Sequence, residues 1–372
     1  MRPRHVYVHV PFCRRRCSYC DFSIAVRPQV PVEEFLSGLG RELALRFRDT
    51  GPWTAETLYF GGGTPSRLGP DGVRRMMEIV RRHIDLEADA EVTLEANPDD
   101  IDGPSLAAWR SAGINRLSIG VQSFEDRVLQ WMHRTHTADQ SRGAIRLVRE
   151  AGFTDFSLDL IFALPTELGR SWRRDLDIAI ELGPRHLSLY GLTVEPQTPI
   201  ARWRDRGEEV EAPEEGYEDD FLTSDAVLTA AGFRHYEVSN YASDNGLSRH
   251  NSSYWRGVPY AGLGPSAHEF DGESRRWNEP SYSRWITLLE DDIDPRGGTE
   301  LLTEANRVAE HVYLSLRTDA GIELLPGEAV RAEPWISAGW ALRTGGRLCL
   351  TPRGWLRLDS IAADLTLSRS HY

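Results

Sequence analysis

The sequence predicts an α/β fold: a partial (β/α)6 barrel with an extended sheet and a small C-terminal helical, winged-helix-like domain. Three observations predict it. Short apolar runs alternate with amphipathic stretches through the first half of the chain. The rhythm breaks after about residue 205 at an acidic, proline-marked stretch. A β-hairpin pattern centred on a GlyGly pair follows a helical stretch near the end.

The apolar runs are HVYVHV (5–10), ETLYFGG (56–62), EVTLEA (91–96), RLSIGV (116–121), DFSLDLIF (155–162) and RHLSLYGL (185–192). Between them VEEFLSGLGRELALRFR (32–48), GVRRMMEIVRRHI (72–84) and GPSLAAWRSAG (103–113) carry apolar residues at helical spacing. Strand followed by helix, repeated, implies parallel strands with right-handed crossovers, and chemistry at the strands' carboxyl ends. Cys13, Gly61–Thr64, Glu95, Gln122, Asp159 and Tyr190 all fall at or just past such ends, which predicts one shared cavity. Residues 1–205 thus read as the barrel core and 206–295 as a barrel-extending region. Residues 296–372 read as a small C-terminal domain, with NRVAEHVYLSLR as helix and GGRLCLTPRGWLRL as hairpin.

Bulk properties narrow the function. The chain has 372 residues, 40% hydrophobic and 27% charged, with a net charge of −13, which argues against a nucleic-acid partner. All 43 basic residues are arginine, which removes lysine Schiff-base chemistry. No apolar run reaches the roughly 18 residues of a membrane span, and a signal-peptide core is missing, so a cytoplasmic location is expected.

Four cysteines do not make a disulfide framework, since three lie within the first 20 residues and Cys349 stands alone in a strand-like segment, where it reads as a small buried hydrophobe. Cys13-x3-Cys17-x2-Cys20 supplies three thiolates from one loop, enough for three irons of a [4Fe-4S] cubane with the fourth iron left open. The same spacing allows a zinc site completed by His9 or a distant ligand. GlyGlyGlyThrPro at 61–65 favours the cluster: its backbone can approach a bound amino acid, and a zinc ribbon gives no reason for it.

With Tyr19 as the aromatic before the last cysteine, this pattern resembles the radical S-adenosylmethionine superfamily. YVHVPFCRRRCSYCDF, YFGGGTPS, LEANP, RLSIGVQSF, HRTHTA and LDLIFALP extend the likeness to its coproporphyrinogen-dehydrogenase-like branch over roughly residues 5–270. The resemblance implies a [4Fe-4S] cluster on Cys13, Cys17 and Cys20, with S-adenosylmethionine at the open iron. It places Tyr7, Tyr19, Gly62, Gly63, Thr64 and Glu95 around that molecule. Gln122, Arg134 and Asp159 match positions that hold a second S-adenosylmethionine in the dehydrogenase.

Two classes within the branch compete, an oxygen-independent coproporphyrinogen III dehydrogenase of porphyrin biosynthesis and a heme chaperone. The dehydrogenase pattern has a further cysteine where this chain has Phe22, and a long extension before its first strand, which here begins by about residue 5. HisAsnSerSerTyrTrp at 250–255 matches the HNxxYW motif that the chaperone group associates with heme, so the resemblance implies His250, Tyr254 and Trp255 as heme contacts. On residue chemistry alone the motif reads as a turn with two core aromatics. The expectation is a heme chaperone without coproporphyrinogen dehydrogenase activity. Its expected partners are heme and heme-receiving apo-proteins such as respiratory enzymes, met in transient contacts with membrane proteins; a homodimer stays open. Asp159, costly to bury alone, is expected to pair with a ligand or with Arg134. The remaining tryptophans (131, 277, 285, 335, 340, 355) read as packing residues, and the acidic run from Glu208 to Asp220 as a solvated loop and helix start.

Overall fold

The computed structural model describes residues 3–48, 53–208 and 210–369. Six strands, β1 (His5–Val10), β2 (Trp53–Gly62), β3 (Ile84–Ala96), β4 (Arg116–Gln122), β5 (Phe156–Phe162) and β6 (His186–Gly191), pair in parallel in that order. The crossovers carry α1 (Val32–Phe47), α2 (Gly69–Arg81), α3 (Gly103–Ala112), α4 (Ala138–Glu150) and α5 (Trp172–Glu181). The strands are apolar on both faces because helices cover the outside and the inner face lines the barrel. Val6, Val8, Leu58, Phe60, Leu94, Leu117, Leu158 and Leu187 are fully or almost fully buried.

Among the described residues, short strands, antiparallel to their neighbours but for one, extend both edges into one twelve-stranded sheet. Beyond β6 lie β8 (Asn240–Ala242) and then β7 (Arg234–Glu237). Beyond β1 lie β9 (Tyr260–Leu263), parallel to it, then β10 (His268–Phe270), β11 (Ser274–Asn278) and β12 (Arg296–Leu301). The large mixed sheet with helices matches the expected partial barrel with an extended sheet. Because Arg296–Leu301 pairs with β11, the sheet runs past residue 296, and the separate C-terminal layer starts with the helix Glu304–Leu316.

That layer contains the hairpin Ala341–Thr344 and Arg347–Leu350, turning at Gly345 and Gly346. Both glycines have positive φ, 56° and 83°, as a tight hairpin turn requires. Cys349 lies on its second strand and is half-buried rather than fully buried. Trp285, Trp355 and Trp335 pack in the core. The acidic run opens the helix Glu214–Ala230, with Glu209 outside the described residues, and Asp220 accepts from the amide of Ala163 at 3.0 Å. Among the described residues no helix is long and apolar enough to cross a membrane.

Candidate cofactor cavity at the strand ends

The loop after β1 is closed at its base, where Phe12–Cys13 pairs with Ala25–Val26. Ala25 N donates to Pro11 O (2.7 Å) and Arg27 N to Cys13 O (3.0 Å). Its far side is clamped as well: Ser18 N donates to Met132 O (3.1 Å), and Ser18 O accepts from Ile200 N (3.0 Å). Tyr19 packs there against the apolar cluster of Met132, Ile161, Leu192 and Ile200. The cysteine loop is therefore held in shape by backbone bonds from three separate segments.

Cys13, Cys17 and Cys20 are free thiols and line one cavity of about 520 Å³. Tyr19, Gly62, Gly63, Thr64, Glu95, Gln122, Arg134, Asp159 and Tyr190 line the same cavity, so the structure gathers most of the predicted strand-end residues. Phe22 stands at its rim, 60% exposed. Tyr7 is not in the lining: its hydroxyl meets His9 Nδ1 at 3.1 Å and its ring stacks on Tyr59.

Two thiols are joined by an arc of hydrogen bonds. Cys13 Sγ lies 3.6 Å from Thr64 Oγ1, which accepts from Asn97 Nδ2 at 3.4 Å. Asn97 Oδ1 accepts from Arg134 Nη2 at 2.6 Å, and Arg134 Nη1 donates to Cys17 Sγ at 3.4 Å. Burial raises the Cys13 thiol against the Thr64 bond and the Arg134 charge, and pushes Cys20 up to about 12. Asn97 was not singled out in the sequence; its signal was its place two residues past Glu95 in LEANP. Among the described residues no three histidine, cysteine or acidic side chains are grouped closely enough to cage one ion.

The glycine loop is shaped by its neighbours before any ligand. Gly62 has φ 109°, and a Cβ there would sit 2.5 Å from the His9 ring. Its amide donates to Glu95 Oε2 at 3.0 Å, and Tyr59 Oη donates to Glu95 Oε1 at 2.8 Å. Burial pushes the Glu95 carboxyl up to about 7 against these two bonds. Gln122 is held at φ 66°, beside an irregularity in the β4–β5 pairing.

Asp159 corrects the expectation of a pair with Arg134. It lies mid-strand and pairs with serines rather than with Arg134, accepting from Ser118 Oγ at 2.9 Å and Ser157 Oγ at 3.2 Å, with Ser188 opposite it. Arg134 is taken up by Cys17, Asn97 and Gly120 O. Burial holds the Asp159 carboxyl above its usual range.

The residues 250–255 lie outside the cavity, on the helix Arg249–Trp255, where the residue-level reading expected a turn. His250 is 1% exposed. Its Nδ1 meets Thr57 Oγ1 at 2.7 Å, its Nε2 meets Tyr254 Oη at 2.8 Å, and its ring stacks on Tyr59 at 5.0 Å. With burial holding its pKa down at about 3, the ring is neutral and both nitrogens are engaged, so it presents no open ligand to a heme iron. Trp255 stacks under Arg317, 4.5 Å from its ring centre.

Residues 7–179 match the Radical SAM superfamily. Over 375 residues the chain is 38% identical to the heme chaperone HemW of Mycobacterium tuberculosis (strain ATCC 25618 / H37Rv), covering 98% of this chain and 95% of that one. It is 33% identical to the heme chaperone HemW of Bacillus subtilis (strain 168), covering 86% and 84% respectively. In fold it resembles the coproporphyrinogen III oxidase HemN of Escherichia coli, a radical SAM enzyme, with a TM-score of 0.83 at 24% identity over 97% of this chain and 89% of the other.

Proposed function

The chain belongs to the radical SAM superfamily and, within it, to the family of the heme chaperone HemW, and on that premise we propose that it is a heme chaperone whose cavity holds a [4Fe-4S] cluster and S-adenosylmethionine. The observation that carries the cofactor part is the gathering of Cys13, Cys17 and Cys20 with Thr64, Asn97 and Arg134 around one cavity. The donor set fits a cluster, since one thiolate per iron spreads three sulfurs around a cubane, whereas a tetrahedral zinc draws its ligands to one centre. When bound, the cluster supplies one-electron chemistry at S-adenosylmethionine.

The protein's own residues do the positioning. Arg134 places a fixed positive charge beside Cys17 and donates to its sulfur, which fixes where that side chain points. Thr64 orients Cys13. Glu95 offers a carboxylate, and the Gly62–Gly63 backbone offers close approach, to the cationic and polar groups of the bound molecule. Gln122 and Asp159 line the same cavity, where they can meet the bound S-adenosylmethionine. Phe22, unable to ligate or to exchange a proton, occupies the rim position where the dehydrogenase pattern has a cysteine, and supports heme handling over porphyrinogen oxidation. The heme-bearing reading rests on the HemW relatives.

The test is anaerobic reconstitution of the full chain with iron and sulfide, then S-adenosylmethionine with either hemin or coproporphyrinogen III. We expect an iron–sulfur chromophore lost in Cys17→Ala, a stable hemin complex, transfer of heme to an apo-protein, and unchanged coproporphyrinogen. Formation of protoporphyrinogen would overturn the chaperone reading in favour of the dehydrogenase. Stoichiometric zinc without a chromophore would overturn the cofactor assignment.

A further inference from the structure

Behind the cavity wall a row of side chains runs from Glu95 to the helix Arg249–Trp255. Glu95 lines the cavity, and its Oε1 accepts from Tyr59 Oη at 2.8 Å. The Tyr59 ring lies nearly parallel to that of His250, 26° apart in plane with centroids at 5.0 Å, and Tyr7 stacks on Tyr59 at 6.1 Å. His250 is itself fixed from both ends of its ring. Thr57 Oγ1 at Nδ1 is shared with His5 Nδ1 at 3.0 Å, and Tyr254 Oη sits at Nε2. The backbone of this helix is pinned too, since Glu91 accepts from the amides of Arg249 and His250, both at 2.8 Å.

Axial ligation asks for an imidazole nitrogen with a free lone pair and a path for a flat macrocycle. His250 offers neither in this arrangement, being 1% exposed with each nitrogen bonded inside the chain. A stacked, doubly bonded ring is instead a rigid support, of the kind that keeps a neighbouring polar side chain in one rotamer.

We propose that His250 is a positioning residue for the S-adenosylmethionine cavity, holding Tyr59 so that its hydroxyl fixes the Glu95 carboxylate, and is not an axial ligand to heme. The proposal rests on the reading of the cavity as the S-adenosylmethionine site. It explains why a motif lying outside the cavity accompanies the residues that line it: the two are joined through one phenol. Loss of the ring frees Tyr59 to rotate and leaves Glu95 with the Gly62 amide alone. Loss of the hydroxyl alone has the same consequence for Glu95 with the stack intact.

Four proteins separate these roles: wild type, His250→Ala, Tyr59→Phe and the double variant, each reconstituted and titrated anaerobically with S-adenosylmethionine by calorimetry. Each single change is expected to weaken binding about tenfold, the loss of one hydrogen bond to a charged group, and the double variant no further, because both act through one contact. Tyr59→Phe keeps the ring and its packing, so it reports even if His250→Ala fails to fold. His250→Gln supplies the second readout, since its amide can bond Thr57 and Tyr254 but is a poor iron ligand. Its hemin absorption spectrum is expected to match that of the wild type. A changed Soret band in His250→Gln, with S-adenosylmethionine affinity unmoved in Tyr59→Phe, would overturn the proposal and make His250 the ligand. A wild-type protein that carries the cluster yet binds no S-adenosylmethionine would instead overturn the cavity reading on which the proposal stands.

Discussion

Glu95 is half-buried between Tyr59 and Gly62, and burial, with the nearby Asp159 carboxylate adding to it, pushes its carboxyl up to about 7 from 4.5. The sign for stability follows from where each state ionises. Below pH 4.5 both folded and unfolded chains are protonated here, and nothing is lost. As pH rises toward 7 the unfolded chain ionises first, so folding is progressively penalised, and above 7 the cost is complete at about 3 kcal/mol. Glu95→Gln in the cofactor-free protein is therefore expected to raise the melting temperature at pH 8 and leave it nearly unchanged near pH 4.5. A pH-independent difference would show that the carboxyl is not held up by its surroundings. Gln122 gives a second residue-level prediction. At φ 66° a side chain is strained, so Gln122→Gly should be more stable than Gln122→Ala by about 1 kcal/mol in denaturant melts. The identities of the cavity residues were legible because strand-end position and motif coincide. Their partners were not. Ser188 and Ser118, which satisfy Asp159, reach it only through the β4–β5–β6 register, and serines in apolar strands look like any other polar alternation.

The helix Arg249–Trp255 is a short element whose place depends on one carboxylate. Glu91 is 6% exposed on β3, and its two oxygens take the amides of Arg249 and His250, while Ser248 Oγ caps the next turn by accepting from Asn251 N. Replacing Glu91 by Ala leaves two amides at a helix start without acceptors and is expected to cost about 2–4 kcal/mol. Hydrogen exchange should accelerate across residues 249–255 and at Tyr59 before it does in α3; uniform acceleration would mean that the whole sheet, not this helix, depends on Glu91. Strand cores in the first half were legible because apolar runs flanked by turn residues leave little choice. Their extensions were not: β3 begins at Ile84, ahead of the apolar run that starts at residue 91, because the intervening stretch is charged and partly exposed. Likewise α2 spans Gly69–Arg81, earlier than the apolar spacing indicates, because Pro70 suits a first helical turn while His83 and Ile84 lead into β3.

One hydrophobic core runs from β1 into the C-terminal layer and includes Val312, Leu316, Leu348 and Trp355. Trp355 is the clearest tie. It is 6% exposed, its indole Nε1 donates to Leu316 O at 2.9 Å, and its ring meets that of His235, on the edge strand β7, edge-on at 4.4 Å. Nearby, Arg317 joins the helix Glu304–Leu316 to the sheet, donating to the buried Glu237 at 3.4 Å while lying over Trp255. Bonds of this kind couple the C-terminal layer to the same edge of the sheet that follows β6, and through Trp255 to the helix behind the cavity. Trp355→Ala removes a large buried ring and its hydrogen bond, with an expected cost of about 3–5 kcal/mol. If the core is one cooperative unit, the loss appears as a lower midpoint of a single calorimetric transition, and the iron–sulfur chromophore of the reconstituted protein disappears at that same temperature. If the C-terminal layer is only attached, the variant splits into two transitions, and the chromophore survives the first.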